Sequence, residues 1–170
     1  MSTPSARLQI AVEGNTAIVK VTGRANFESS VPFKTVLTEL SRHTCQRYVL
    51  DLTDCVLMDS TFLGVLSGFG VKFGATQPRN VIELVNPNAR ISDLLENLGV
   101  AHLFEIRKAD QPLNAHLHAV DPEAVPTQRD LSQTSLEAHR TLMELNPANV
   151  PKFKDVAQFL EEDLKRIKGG

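Results

Sequence analysis

The residues best placed to do chemistry are Asp59, Ser60 and Thr61, in the stretch YVLDLTDCVLMDSTFLGVL from Tyr48 to Leu66. A nearly continuous apolar run reaches Asp51, a loop follows, and Ser60 stands just before a second apolar run. The spacing predicts a buried strand, then a loop over Thr53 to Ser60, then a buried helix with the Ser60 hydroxyl as its N-cap. A phosphate there would meet unpaired helix amides and the positive end of the helix dipole. Phosphorylation adds about −1.5 to −2 charges. Asp59 beside it and Asp54 nearby would oppose that charge, so one turn can offer a partner two distinguishable states.

Other reactive residue types carry less. Asp51, Asp54 and Asp59 could suggest an acidic metal or phospho-acceptor pocket. The first strands, however, offer only Glu13 where a receiver domain needs an acidic pair, and Asp51 is expected to end its strand on nearby backbone. The two cysteines, Cys45 and Cys55, lack metal or redox spacing and read as packing thiols of a reducing compartment. His116 and His118 have no second ligand cluster, so no metal site is expected. Glu137-Ala138-His139-Arg140 lacks metalloprotease spacing. Gly64, Gly68 and Gly70 lie in a helical pattern and read as close packing, not a phosphate loop. No nucleophile, base and orienting group can be assembled, so no catalytic residue and no cofactor is assigned.

The surrounding elements follow from periodicity. Leu8, Ile10 and Val12 alternate as in a strand. Glu13-Gly14-Asn15 is a turn, and Ala17 to Val21 completes a hairpin. A helix is expected over about Ser29 to His43, capped by Ser30 with Pro32 in its first turn. Strands are expected at Arg47 to Leu52, Val81 to Val85 and Leu103 to Ile106. Helices are expected at Thr61 to Phe73 and from Asn88 to Leu98, with a turn at Pro78. The order β-β-α-β-α-β-α-β implies an α/β fold with a mixed sheet of about five strands and helices packed on it. Residues 108–130, with Pro112, Pro122 and Pro126, read as a linker or surface-hugging segment. Residues 131–170 read as a helical hairpin, opened by a Thr134/Glu137 capping box, with Leu136, His139, Leu142 and Met143 on one face and a second stripe from Phe153 to Ile167. Helices this short need a surface to pack on: the first domain, a second copy (a homodimer through the C-terminal helices) or a partner.

Composition narrows the classes. The chain has 170 residues, 42% apolar, with a net charge of −2 and no tryptophan. That allows a real core and argues against a nucleic-acid binder or an aromatic base-stacking platform. No apolar signal core opens the chain and no run approaches a membrane span, so a cytoplasmic protein without membrane insertion is expected.

The Asp-Ser turn in "LDL…V…MDSTFLGVL", the preceding hairpin with Gly23, and the later "VIELVNPNARISDLLENLGVAHLFEI" together resemble STAS domains, above all the bacterial anti-sigma factor antagonists. The resemblance covers about residues 7 to 107. It divides the chain into a STAS domain over 1–107, the segment 108–130 and the hairpin 131–170. It implies a non-catalytic regulatory binding module in signal transduction and transcription control. Ser60 would be the phosphorylation site, and Asp59, Ser60, Thr61, Phe62 and Asn26 would lie at the partner surface. The partners it implies are a kinase-type anti-sigma factor and a serine phosphatase that reverses the modification. Phe62 stands where the family usually has the first glycine of Gly-Leu-Gly, and Asn26 where many phosphorylated members have aspartate. These departures and the extra helices favour the other role of STAS domains, a phosphorylation-independent scaffold or subunit of a signalling or lipid-transport complex.

Overall fold

The computed structural model describes residues 5–43, 45–76, 80–111, 113, 115–120 and 125–169. The turn expected at Pro78 and the prolines at 112 and 122 lie outside the described residues.

The expected hairpin is β1 (Arg7–Glu13) and β2 (Thr16–Ala25). Helix α1 (Phe27–Ser41) leads to β3 (Arg47–Asp51), β4 (Cys55–Met58) and helix α2 (Ser60–Gly74). Then come β5 (Ile82–Val85), α3 (Ala89–Asn97), β6 (Phe104–Arg107), β7 (His118–Ala119), α4 (Gln128–Leu145) and α5 (Val150–Gly169). The sheet runs β6-β5-β3-β2-β1-β7, with β4 continuing along β2 beyond a register shift at Gly23/Arg24. Pairing from β2 through β6 is parallel, and β1 is antiparallel to both its neighbours. The mixed sheet is as expected, with two strands beyond the five anticipated, β4 and β7.

Strand alternation sorts the two faces. Ala17, Val19, Tyr48, Leu50, Ile82 and Leu84 join the main core, which also takes Phe33 and Leu37 of α1, Phe62 and Leu66 of α2, Ile91 and Leu95 of α3, and Ala138 and Leu142 of α4. The intervening Ala11, Ile18, Val49 and Val85 form a second cluster, covered by Ala109, Leu113, Ala115 and Leu117. The stretch after β6 therefore hugs the sheet's second face and returns to pair β7 with β1. On the buried carboxylate Glu83, Arg47 donates a 2.9 Å hydrogen bond, and that pairing holds the acid below its ordinary range.

Three helix starts differ from expectation. Helix α1 is capped by Asn26 in a reciprocal box with Ser29, not by Ser30, which puts Pro32 inside the helix rather than in its first turn. Helix α2 is capped by Asp59, so Ser60 is its first residue and not its cap. Helix α4 begins at Gln128 and is capped not by Thr134 but by Thr127, which forms the capping box with Asp130.

Helix α4 packs on α2 and α1 of its own chain, and α5 packs on α4. Their connection is pinned at Asn149, which is fully buried and donates 2.9 Å bonds to the carbonyls of Leu98 and Leu142. Lys152 adds a bond to the Asn97 carbonyl at 3.0 Å. Gly99 beneath them has φ +69°, where any residue with a side chain would be strained, and a β-carbon there would also displace the Asn146 side-chain amide.

Candidate functional site at the start of helix α2

Strand β4 delivers the turn. It lies on the end of β2, and the Asp59 amide donates to the Ala25 carbonyl at 2.9 Å, which keeps the backbone extended through Asp59. Asn88 braces the other side: its amide group donates to the carbonyls of Cys55 and Val56 while its oxygen caps α3 on the Ile91 amide. The Asp59 carboxylate accepts the Phe62 amide at 2.9 Å, closing the first turn of α2. Burial raises the Asp59 carboxyl above its ordinary value, against the amides of Phe62, Phe27 and Thr61 and the nearby His139, which favour its charged form.

Ser60 and Thr61 face helix α4. Ser60 Oγ lies 2.8 Å from His139 Nε2, and Thr61 Oγ1 lies 3.1 Å from Ser135 Oγ. His139 Nδ1 is 2.7 Å from the Ser135 carbonyl oxygen. A carbonyl only accepts, so Nδ1 carries the proton, Nε2 accepts, and the Ser60 hydroxyl donates to it. The ring is 4% exposed and meets Phe153 edge-on with centroids 4.9 Å apart. Ser60 is thus tied to a buried imidazole of its own chain.

Burial lowers the His139 pKa from its ordinary 6.5, against the Ser135 carbonyl and Asp59, which favour the cation. The sign of its linkage to stability follows. Above pH 6.5 the ring is neutral folded and unfolded, and its contribution is complete. As pH falls below 6.5 the unfolded chain takes up a proton that the folded chain refuses, and stability is lost until the folded pKa is reached. We expect the urea midpoint of the wild type to fall between pH 7 and pH 5.5 with a component that His139→Gln removes. Parallel pH profiles for the two proteins would show that the ring titrates alike in both states.

The other predicted residues separate. Phe62 is fully buried and stacks on Phe33, with centroids 4.1 Å apart and rings 14° from parallel. Its bulk has gone into the core, so in this structure it offers no surface to a partner. Asn26 lies at the head of α1, one residue beyond the Ala25 carbonyl that holds Asp59, and its side chain is used as that helix's cap. Asp51 accepts the amide and hydroxyl of Thr53 at 3.0 and 2.6 Å, and Asp54 pairs with Lys20 at 3.0 Å, so the three aspartates share no pocket. The Cys55 thiol is buried and its pKa is pushed up to about 11, as expected of a packing cysteine. Among the described residues no group of three His, Cys, Asp or Glu could hold a metal ion, and no helix is long and apolar enough to cross a membrane.

Sequence reasoning missed His139 and Ser135. The signal was present: Ser135 and His139 are four apart, hence on one helix face, and His139 interrupts the apolar stripe of Leu136 and Leu142. A histidine on an apolar stripe needs a polar partner, but nothing local says that Ser60, 79 positions earlier, supplies it.

Comparison with known proteins agrees with this architecture. An anti-sigma factor antagonist from Mycobacterium paratuberculosis superposes with a TM-score of 0.55 at 16% identity, over 62% of this chain and 89% of that one. A putative anti-sigma factor antagonist from Thermotoga maritima gives 0.52 at 19% identity, over 60% and 86%. The anti-sigma factor antagonist SpoIIAA, solved unphosphorylated, gives 0.53 at 14% identity, over 61% and 89%. It has also been solved in its phosphorylated form, at 0.50 and 14% identity, over 61% and 92%. These likenesses establish a shared fold. No curated protein matches the sequence. The family model described as "Mlab, STAS domain" matches residues 8–108, more than half of the chain and the span that carries β2 to β6 and the Asp59-Ser60-Thr61 turn, and the chain therefore belongs to the STAS domain family.

Proposed function

We propose that this chain is a non-catalytic cytoplasmic regulatory module that binds a protein partner through the Asp59-Ser60-Thr61 turn and is switched by phosphate on Ser60. The observation that carries this reading is the place of Ser60: first residue of α2, with Asp59 as the helix cap. The helix dipole would hold a phosphate there, while the half-buried Asp59 carboxylate would repel it. Modification would thus change the charge of the turn and unsettle its contacts together. The STAS fold and the structural likeness to antagonists support a kinase-type anti-sigma factor as partner and a serine phosphatase as the reversing enzyme.

One observation favours a second reading, a phosphorylation-independent subunit of a larger complex: the Ser60 hydroxyl is already engaged by His139. The two readings separate in a binding assay against the histidine-kinase-fold anti-sigma factors encoded in the same genome. On the switch reading one of them binds wild type and Ser60→Ala within a few-fold of each other, and Ser60→Asp at least about tenfold more weakly, since a charge facing an unfavourable field costs about 1.4 kcal/mol or more at an interface. Equal binding by all three proteins would remove the switch and leave the subunit.

A further inference from the structure

We infer that the α4–α5 hairpin is a built-in cover for the Ser60 turn, and that α4 competes with outside partners for the face of α2 beside Ser60. This rests on the reading of that turn as the partner surface, and it supplies the regulation of the same site.

The seat on α2 is shaped for a helix. A β-carbon placed on Gly64 would lie 2.5 Å from the Ala138 carbonyl oxygen and 2.6 Å from the Ala138 β-carbon. One helical turn on, a β-carbon on Gly68 would meet the Thr141 methyl at 3.9 Å, an ordinary van der Waals contact. Backbones approach this closely only where both side chains are small. Above the crossing the polar groups match: Ser60 donates to His139, and Thr61 meets Ser135. Polar satisfaction here is mutual, so each side of the seam needs a partner when the other leaves. A competing helix would need a small residue at the crossing and an acceptor above Ser60.

The seam can tell a hydroxyl from a phosphate. The 2.8 Å between Ser60 Oγ and His139 Nε2 leaves no room for a phosphoryl group. The added dianion would also lie beside the half-buried Asp59 carboxylate under the buried face of α4. Phosphate on Ser60 and α4 on its seat therefore exclude one another. The rest of the attachment differs in kind. Lys34–Glu137, at 2.7 Å, is an exposed pair of little weight, whereas Asn149 is a buried pin at the far end of the hairpin. Opening is expected to start at the Ser60 end of α4 and to pivot about the Asn146–Asn149 turn.

Native-state hydrogen exchange on the full chain tests this, unmodified and with phosphoserine installed at position 60 by genetic encoding. Installation makes the result independent of whether any kinase acts on Ser60. In the unmodified chain the amides of residues 128–145 should exchange about tenfold or more faster than those of β2 and β3, showing that the hairpin opens separately. Phosphoserine should speed residues 128–145 by a further tenfold or so while β2 and β3 hold. Two outcomes would overturn the cover: α4 exchanging in step with the sheet, as one cooperative unit, or phosphoserine leaving α4 fully protected. Absence of Ser60 phosphate from cells would instead remove the switch and leave these exchange results standing.

Discussion

Replacing Phe62 with alanine is expected to lower the stability of the chain by ~3–5 kcal/mol, the range for removing a fully buried phenylalanine. Phe62 has no exposed surface and lies flat on Phe33, joining α2 to α1 directly behind the Asp59-Ser60-Thr61 turn. The family's usual glycine at this position would leave a phenyl-sized void here, so Phe62→Gly should cost at least as much, with helix propensity adding about 1 kcal/mol. Urea unfolding with an unchanged m-value reads the loss directly. A change below about 1 kcal/mol would mean that α1 and α2 close over the gap, and that Phe62 does not set the turn.

Gly64→Ala is the second large effect, and its sign runs against helix propensity. In an open helix the change would stabilise by about 1 kcal/mol. Here the new methyl would lie 2.5 Å from a backbone oxygen of α4. Overpacking of this kind costs about 1–3 kcal/mol, and α4, the smaller body, must move. Stability should fall, and the Ser60–His139 hydrogen bond should be lost from the histidine NMR spectrum while β2, β3 and β5 keep their shifts. A rise in stability would show that the close crossing is not maintained in solution.

The fold was legible where one force dominated. Alternation in the hairpin, the apolar runs at Tyr48–Leu50 and Ile82–Val85, and the helical stripe from Phe62 to Phe73 each declare burial by pattern alone. Strand β4 was not legible. It has four residues, exposes Val56, and pairs with the far end of β2, so its identity lies in a parallel pairing that the local pattern does not encode. The helix caps were misplaced for a related reason. Asp59, Ser60 and Thr61 are all fit to cap, and so are Asn26, Ser29 and Ser30. Where the extended chain stops is decided by a tertiary bond, from the Asp59 amide to the Ala25 carbonyl. His139 was out of reach because its meaning comes from Ser60, across the seam between two helices that the sequence shows only as separate stripes.

The place of the turn was more legible than its surroundings. The Asp-Ser-Thr motif already marked a helix start where phosphate would be felt. The structure adds that the hydroxyl is not free but is directed into the chain's own C-terminal hairpin, and that Phe62 acts from inside the core.

The measurement closest to the central claim is peptide-level mass spectrometry of this protein from its own cells, grown under several stresses. A single phosphate on Ser60 that rises and falls with conditions is the expected result. Full coverage of the Asp59-Ser60-Thr61 peptide with no phosphate under any condition would contradict the switch, and would leave a STAS module that works without it.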